Sequence, residues 1–139
     1  MIQTGDPITT TRPWGNFRTY ADNEPCTVKL LTIEPGKALS LQYHNHQAQR
    51  YIIIDRIYIE WADSPLPDGM GNDEAKDWFR QHRRASMCYM GDELLFGERV
   101  IHRPSNHGDK PVRFAEVAYG INDEDDIVRL DDRYGRESN

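Results

Sequence analysis

The stretch "GKALSLQYHNHQAQRYIII", residues 36–54, decides how this chain is read. In extended backbone, residues two apart point the same way. Gln42 and His44 therefore share a face, and His46 joins them if the strand runs on. Gln49 follows after a short turn, placed to swing back towards them. The Ile- and Tyr-rich run behind it has the composition of a buried strand.

The flanking segments are also strand-like. "CTVKLLTIEPG" (26–36) alternates apolar and polar residues and stops at Pro35-Gly36, a turn signal. "RYIIIDRIYIEW" (50–61) runs on or turns at Asp55-Arg56, and "SMCYMGDELLFG" (86–97) reads as strand, turn, strand. "VRFAEVAYG" (112–120) puts Val112, Phe114, Glu116 and Ala118 on one face. Short strands between Gly, Pro and Asp turns predict an antiparallel barrel or sandwich.

One segment differs. "DSPLPDGMGNDEAKDWFRQHRRAS" (63–86) opens with Pro and Gly and then turns helical, with Asn72 or Asp73 as the cap. Ala75, Trp78, Phe79 and His82 form a short apolar stripe. The segment reads as a surface insertion, about residues 63–85, packed by its Trp; a lid or a dimer contact is the other reading.

A chain of 139 residues predicts one domain, 1–139, able to bury a core. Its 29% charged residues and lack of a long apolar run point to a soluble protein outside the membrane. The first residues lack the apolar centre of a signal peptide, so a cytoplasmic location is expected. A net charge of -6 argues against nucleic acid as partner. The one basic cluster, "RQHRR" (80–84), lies beside acidic residues and reads as a solvated helix face. Cys26 and Cys88 stand outside any CxxC and are expected to be free thiols.

His102, in "GERVIHRPSN" (97–106), sits on another strand-like segment. Two or three imidazoles and an amide oxygen converging inside a barrel would suit a divalent metal. Spacing alone suits polar surface residues equally well.

The spacing resembles the two-part signature of the cupin superfamily. Its first part runs Gly, five residues, His, one, His, four, Glu, six, Gly; here the corresponding residues are Gly36, Gln42, His44, Gln49 and Arg56. Its second part runs Gly, five, Pro, one, Gly, two, His, three, Asn; here these are Gly91, Gly97, Arg99, His102 and Asn106. "RPWG" (12–15), "PGKALSLQYHNH" (35–46), "HRPSN" (102–106) and "DDIVRLDDRYGR" (125–136) resemble the type II mannose-6-phosphate isomerase family more closely. That family's hallmark is LSLQ-x-H-x-H-R-x-E-x-W, with a tail reading DDI-x-R-x-x-D-x-YGR. It also occurs fused behind a guanylyltransferase, and the chain here resembles the stand-alone form.

The resemblance implies an all-β cupin, a double-stranded β-helix of the jelly-roll type with one inserted short helix. It implies a divalent metal held by Gln42, His44, Gln49 and His102, and interconversion of mannose 6-phosphate and fructose 6-phosphate. Cupins in general imply a homodimer.

Departures from the motif bear on chemistry. Gln49 replaces the family glutamate, which leaves a neutral ligand set; zinc or nickel is then favoured over oxygen-preferring ions, with weak or no binding as the alternative. The proton carrier needed between C1 and C2 would move to His46 or a metal-bound water. The family Arg is Gln47 and the Trp is Tyr51. For phosphate, Arg103 and Arg136 match family positions, while Arg50, Arg56 and Arg99 are candidates to compensate. An ion pair with the acidic tail is the competing role for Arg103 and Arg136. Arg12, Asp126, Arg129, Asp132 and Tyr134 read as a clasp pinning the tail to the barrel. Two functions stand: a sugar-phosphate isomerase, and a diverged cupin binding a small sugar-like ligand without turnover. An iron-dependent oxygenase ranks below both, because its site needs the missing carboxylate.

Overall fold

The computed structural model describes residues 7–23, 25–120 and 123–135. Among the described residues, eleven strands form two antiparallel sheets. In chain order they are β1 (Ile8–Arg12), β2 (Gly15–Ala21), β3 (Thr27–Ile33), β4 (Leu41–His44), β5 (Gln47–Ile53) and β6 (Ile57–Ala62). After helix α1 (Asn72–His82) come β7 (Arg83–Cys88), β8 (Glu93–Phe96), β9 (His102–Ser105), β10 (Val112–Gly120) and β11 (Ile127–Asp131). One sheet runs β1-β2-β3-β10-β5-β8 and the other β11-β4-β9-β6-β7.

From β3 onward the chain changes sheets at every connection except β6 to β7, which pair with each other on either side of the helix. This alternation winds the chain into a double-stranded β-helix, as expected. The Asp55-Arg56 break is therefore a corner between sheets and not a hairpin. Gly15 is a glycine for a steric reason: its φ is +149°, and a Cβ there would run into the Thr32 carbonyl oxygen across the β2–β3 pair.

The interior is graded along the strands. On β5 the inward residues are Gln47, Gln49, Tyr51 and Ile53, and on β10 they are Ala118, Glu116, Phe114 and Val112. The antiparallel register sets Phe114 opposite Ile53 and Glu116 opposite Tyr51. One end of the barrel is therefore filled by Ile33, Tyr51, Ile53, Ile57, Ile59 and Phe114, and the other end is polar. Apolar burial stabilises the closed end, at roughly 1.5–3 kcal/mol per large side chain.

The insertion packs on the outer face of the second sheet. Ala75 and Phe79 of α1 are buried against Leu41, Tyr43, Ile101 and Leu130. Trp78 packs against the same cluster, partly buried, and stacks on His82 with centroids 4.1 Å apart, while Phe79 is the buried anchor. One expectation changes here. The N-cap is Gly71 and has no side-chain cap bond, so neither Asn72 nor Asp73 caps the helix. Replacing Phe79 with Ala is expected to cost about 3 kcal/mol, at the low end for a buried Phe because the helix sits outside the barrel. Urea denaturation checks this; a loss below about 1 kcal/mol would show that α1 is not anchored there.

Arg99, which stands where the cupin motif has glycine, has φ 63°. A non-glycine residue held there costs on the order of 1 kcal/mol. The guanidinium offsets that cost by donating to Leu66 O (3.0 Å), Pro67 O (3.1 Å) and Asn45 Oδ1 (2.7 Å). It ties the insertion to the β4–β5 turn and is not a phosphate ligand in this arrangement. Cys26 and Cys88 are free thiols. Among the described residues, no helix is long and apolar enough to cross a membrane.

Candidate functional site

The polar end of the barrel opens into a cavity with an empty volume of about 600 Å³, its mouth included. The cavity proper is about 80 Å³, and the larger figure takes in open solvent at the mouth. Gln42, His44, Gln47, Gln49, Glu116, Lys29, Arg12 and Arg129 line it, with Trp14, Phe17, Leu31 and Leu39 as apolar wall.

Four predicted residues come together here. Gln42 and His44 point inward from β4, Gln49 from β5 and His102 from β9. Gln42 and His102 are directly opposed in register, and the His44 and His102 rings lie 6.1 Å apart by centroid. His102 is fully buried, stacked on Phe96 at 4.4 Å.

Both histidines are neutral. Burial lowers the His44 pKa to about 3, helped by the neighbouring His102 and by the positive charges of Lys29 and Arg129. Burial also lowers His102 to about 4, against the opposing effect of its hydrogen bond to Val100. His102 Nδ1 lies 2.9 Å from Val100 O, and its Nε2 lies 3.1 Å from Gln49 Oε1. A neutral ring has one proton for these two oxygens. If Nδ1 donates to the backbone, as in metal-ligating histidines, Nε2 presents a lone pair. A flip of the Gln49 amide, or a cation, then satisfies that lone pair. Gln49 Nε2 donates to Gln47 Oε1 at 3.0 Å, and Ser40 Oγ donates to Gln42 Oε1 at 3.1 Å.

His44 is the chemically exposed point of this set. It is buried, and neither Nδ1 nor Nε2 has a hydrogen-bond partner. Such a group costs on the order of 1–3 kcal/mol unless something binds it. Among the described residues no three of His, Cys, Asp and Glu gather to hold a metal. The donor set is therefore two neutral imidazoles and amide oxygens. It fits a borderline-soft divalent ion by donor type and supplies no negative charge of its own.

Other predicted residues fall elsewhere. β4 ends at His44 and the chain turns at Asn45-His46, so Gln47 faces inward and His46 is exposed. The His46 backbone N–H donates to Asp126 Oδ2 at 2.9 Å, and the residue borders an outer groove with Asp123 and Asp125. Arg103 is on the outer face of the second sheet, donating to Glu60 Oε1 (3.0 Å) and Asp131 Oδ2 (3.2 Å). Burial pushes the Glu60 pKa up, but its hydrogen bonds to Arg83 and Arg103 outweigh this and hold it below the usual carboxylate range. Arg103 thus takes the ion-pair role. Arg136 lies outside the described residues. Arg50 pairs with Glu93 at 3.8 Å on the outer face, and neither Arg50 nor Arg56 lines the cavity.

Two cavity residues were not singled out from sequence: Glu116 and Lys29. Glu116 is the buried carboxylate of the lining, on the inward face of β10. Lys29 is opposite it on β3. The signal was present, since each charge occupies an inward position of an otherwise apolar alternation.

The fold is a double-stranded β-helix of the cupin type. Structures sharing the fold include the capsular polysaccharide assembling protein CapF of Staphylococcus aureus, at TM-score 0.71, 11% identity, 91% of this chain and 33% of that one. An oxalate decarboxylase of Lactobacillus farciminis matches at TM-score 0.65 and 15% identity, over 89% of this chain and 33% of that one. Residues 5–61 match the family described as mannose-6-phosphate isomerase C-terminal. The xanthan biosynthesis protein XanB of Xanthomonas campestris is 32% identical over 126 residues, covering 90% of this chain and 23% of its own. The mannose-1-phosphate guanylyltransferase ManC of Salmonella typhimurium is 28% identical over 134 residues, covering 90% and 22%. The first part of the chain is thus similar to the mannose-6-phosphate isomerase C-terminal family, and the chain spans less than a quarter of these curated relatives.

Proposed function

We propose that the protein interconverts the aldose and ketose forms of a hexose phosphate, mannose 6-phosphate and fructose 6-phosphate, inside the polar end of the barrel. The observation that carries this reading is the pairing of an unpartnered neutral His44 with the buried carboxylate Glu116 in one open cavity. Aldose–ketose isomerisation moves one proton between C2 and C1 and a second between the two oxygens. Glu116 takes the proton from C2 and returns it to C1 of the resulting enediol, so the carboxylate is regenerated. A His44 ring nitrogen faces the oxygens and carries the second proton, which its neutral state permits. Gln42 and Gln49 orient the sugar hydroxyls, and the apolar wall of Trp14, Leu31 and Leu39 excludes water from the reacting carbons.

A divalent ion would be held by His44, His102, Gln42 and Gln49. When bound, it would supply Lewis-acid polarisation of the carbonyl.

The test is direct conversion of mannose 6-phosphate to fructose 6-phosphate, followed with and without added zinc, nickel and manganese. No conversion under any of these conditions would refute the isomerase reading. The second reading, a cupin that binds such a ligand without turnover, is favoured by one observation. Gln49 is engaged by Gln47 and His102, so two of the four expected donors have partners without a metal.

Replacing Gln49 with Glu is expected to tighten zinc or nickel binding by at least about tenfold, because it adds a negative charge beside two imidazoles. Titration calorimetry checks this. Equal affinity in variant and parent would remove Gln49 from the ligand set.

A further inference from the structure

We propose that the cavity is an anion site in which Arg12, Lys29 and Arg129 hold the phosphate of a phosphorylated sugar. The proposal rests on the reading that the ligand enters this cavity, but not on turnover. The three cations come from three strands, β1, β3 and β11, and all line the same cavity. Two of them share one aromatic ring: the Arg12 guanidinium lies 5.3 Å from the Phe17 centroid and Lys29 Nζ lies 4.6 Å from it. Phe17 thus holds both heads at the wall by cation–π attraction. Arg129 is opposite Gln42 in register, which sets it beside the imidazole pair. The positive field of Lys29 and Arg129 is felt at His44.

Such a gathering runs against the charge of the chain, which is -6 overall. Like charges brought together in a partly enclosed cavity repel, and a cleft focuses their field on what enters it. Glu116 and Asp123 line the same cavity, so with His44 neutral the cations exceed the carboxylates by one. A phosphate at Arg12, Lys29 and Arg129 sits beside Glu116, which is opposite Lys29 in register, and beside Gln42, which is opposite Arg129. None of the three cations was a phosphate candidate in the sequence; Arg12 and Arg129 read there as parts of a structural clasp.

The experiment is calorimetric titration of the full chain with mannose 6-phosphate, mannose and inorganic phosphate, repeated for Lys29→Met and Arg129→Gln. Mannose 6-phosphate is expected to bind at least about tenfold more tightly than mannose, with inorganic phosphate competing for the site. Each variant is expected to weaken mannose 6-phosphate about tenfold while the thermal transition stays cooperative. Lys29→Met keeps the aliphatic stem on Phe17, so lost packing does not imitate lost charge. Equal binding of mannose and mannose 6-phosphate, no binding of either, or parental affinity in both variants would overturn the anion site. Tight, Lys29-dependent binding of mannose 6-phosphate with no fructose 6-phosphate formed would leave the anion site standing and end the isomerase reading.

Discussion

Glu116→Gln is expected to lower kcat for mannose 6-phosphate by about 100-fold or more, with little change in KM. The substitution keeps size and shape and removes the negative charge together with the ability to take a proton. General acid–base catalysis contributes roughly 10²–10⁴-fold, so the loss of its carrier should be plain. The strand neighbours of Glu116 in register are Lys29 and Tyr51, and the apolar residues Phe114 and Ala118 flank it on the inward face. A second readout separates a proton carrier from a structural residue. In heavy water the parent should wash deuterium into C2 of mannose 6-phosphate, and the variant should not. Exchange that continues at the parental rate would assign the proton to another cavity group, with His44 and Asp123 as candidates.

How much of this was legible in sequence can be traced residue by residue. Strand alternation put Val112, Phe114, Glu116 and Ala118 on one face, which the structure turns inward, and the cupin spacing brought Gln42, His44, Gln49 and His102 together. The error at His46 came from parity. A two-residue turn, Asn45-His46, carries no Gly or Pro, so the sequence did not mark where β4 stops. Once the chain turns there, odd-numbered residues face inward, and Gln47 replaces His46 in the cavity. Glu116 and Lys29 were visible as charges on inward faces, but an isolated charge on a strand is usually solvated. Only the pairing of strands shows that both face a polar cavity. Arg99 could not be read either: its positive φ is tolerated because three oxygens distant in sequence accept from it.

Acidification is expected to destabilise the metal-free protein between about pH 6.5 and pH 4, with His44 and His102 each contributing a slope approaching about 1.4 kcal/mol per pH unit. The sign follows from which state binds more protons. In the unfolded chain both histidines titrate near the ordinary value of 6.5, whereas in the folded barrel burial holds them at about 3 and about 4. Within that window the unfolded state takes up protons that the folded state refuses, so stability falls as pH falls. Above pH 6.5 neither state is protonated and the term vanishes; below the folded values both are protonated and the slope flattens. Carboxylates add their own dependence at low pH, so the decisive comparison is with His44→Phe. That variant removes one of the two protons and should carry a shallower slope. It should also be more stable at pH 7.5 by about 1 kcal/mol or more, because two unpartnered buried nitrogens give way to an apolar ring of similar size. Urea denaturation at several pH values measures both quantities. Parallel slopes for parent and variant would mean that His44 is protonated in the folded state, which would remove the lone pairs that metal binding and proton transfer both require. Added zinc should steepen the parent's loss on acidification and leave His44→Phe nearly unmoved, since protons and the ion compete for the same nitrogens.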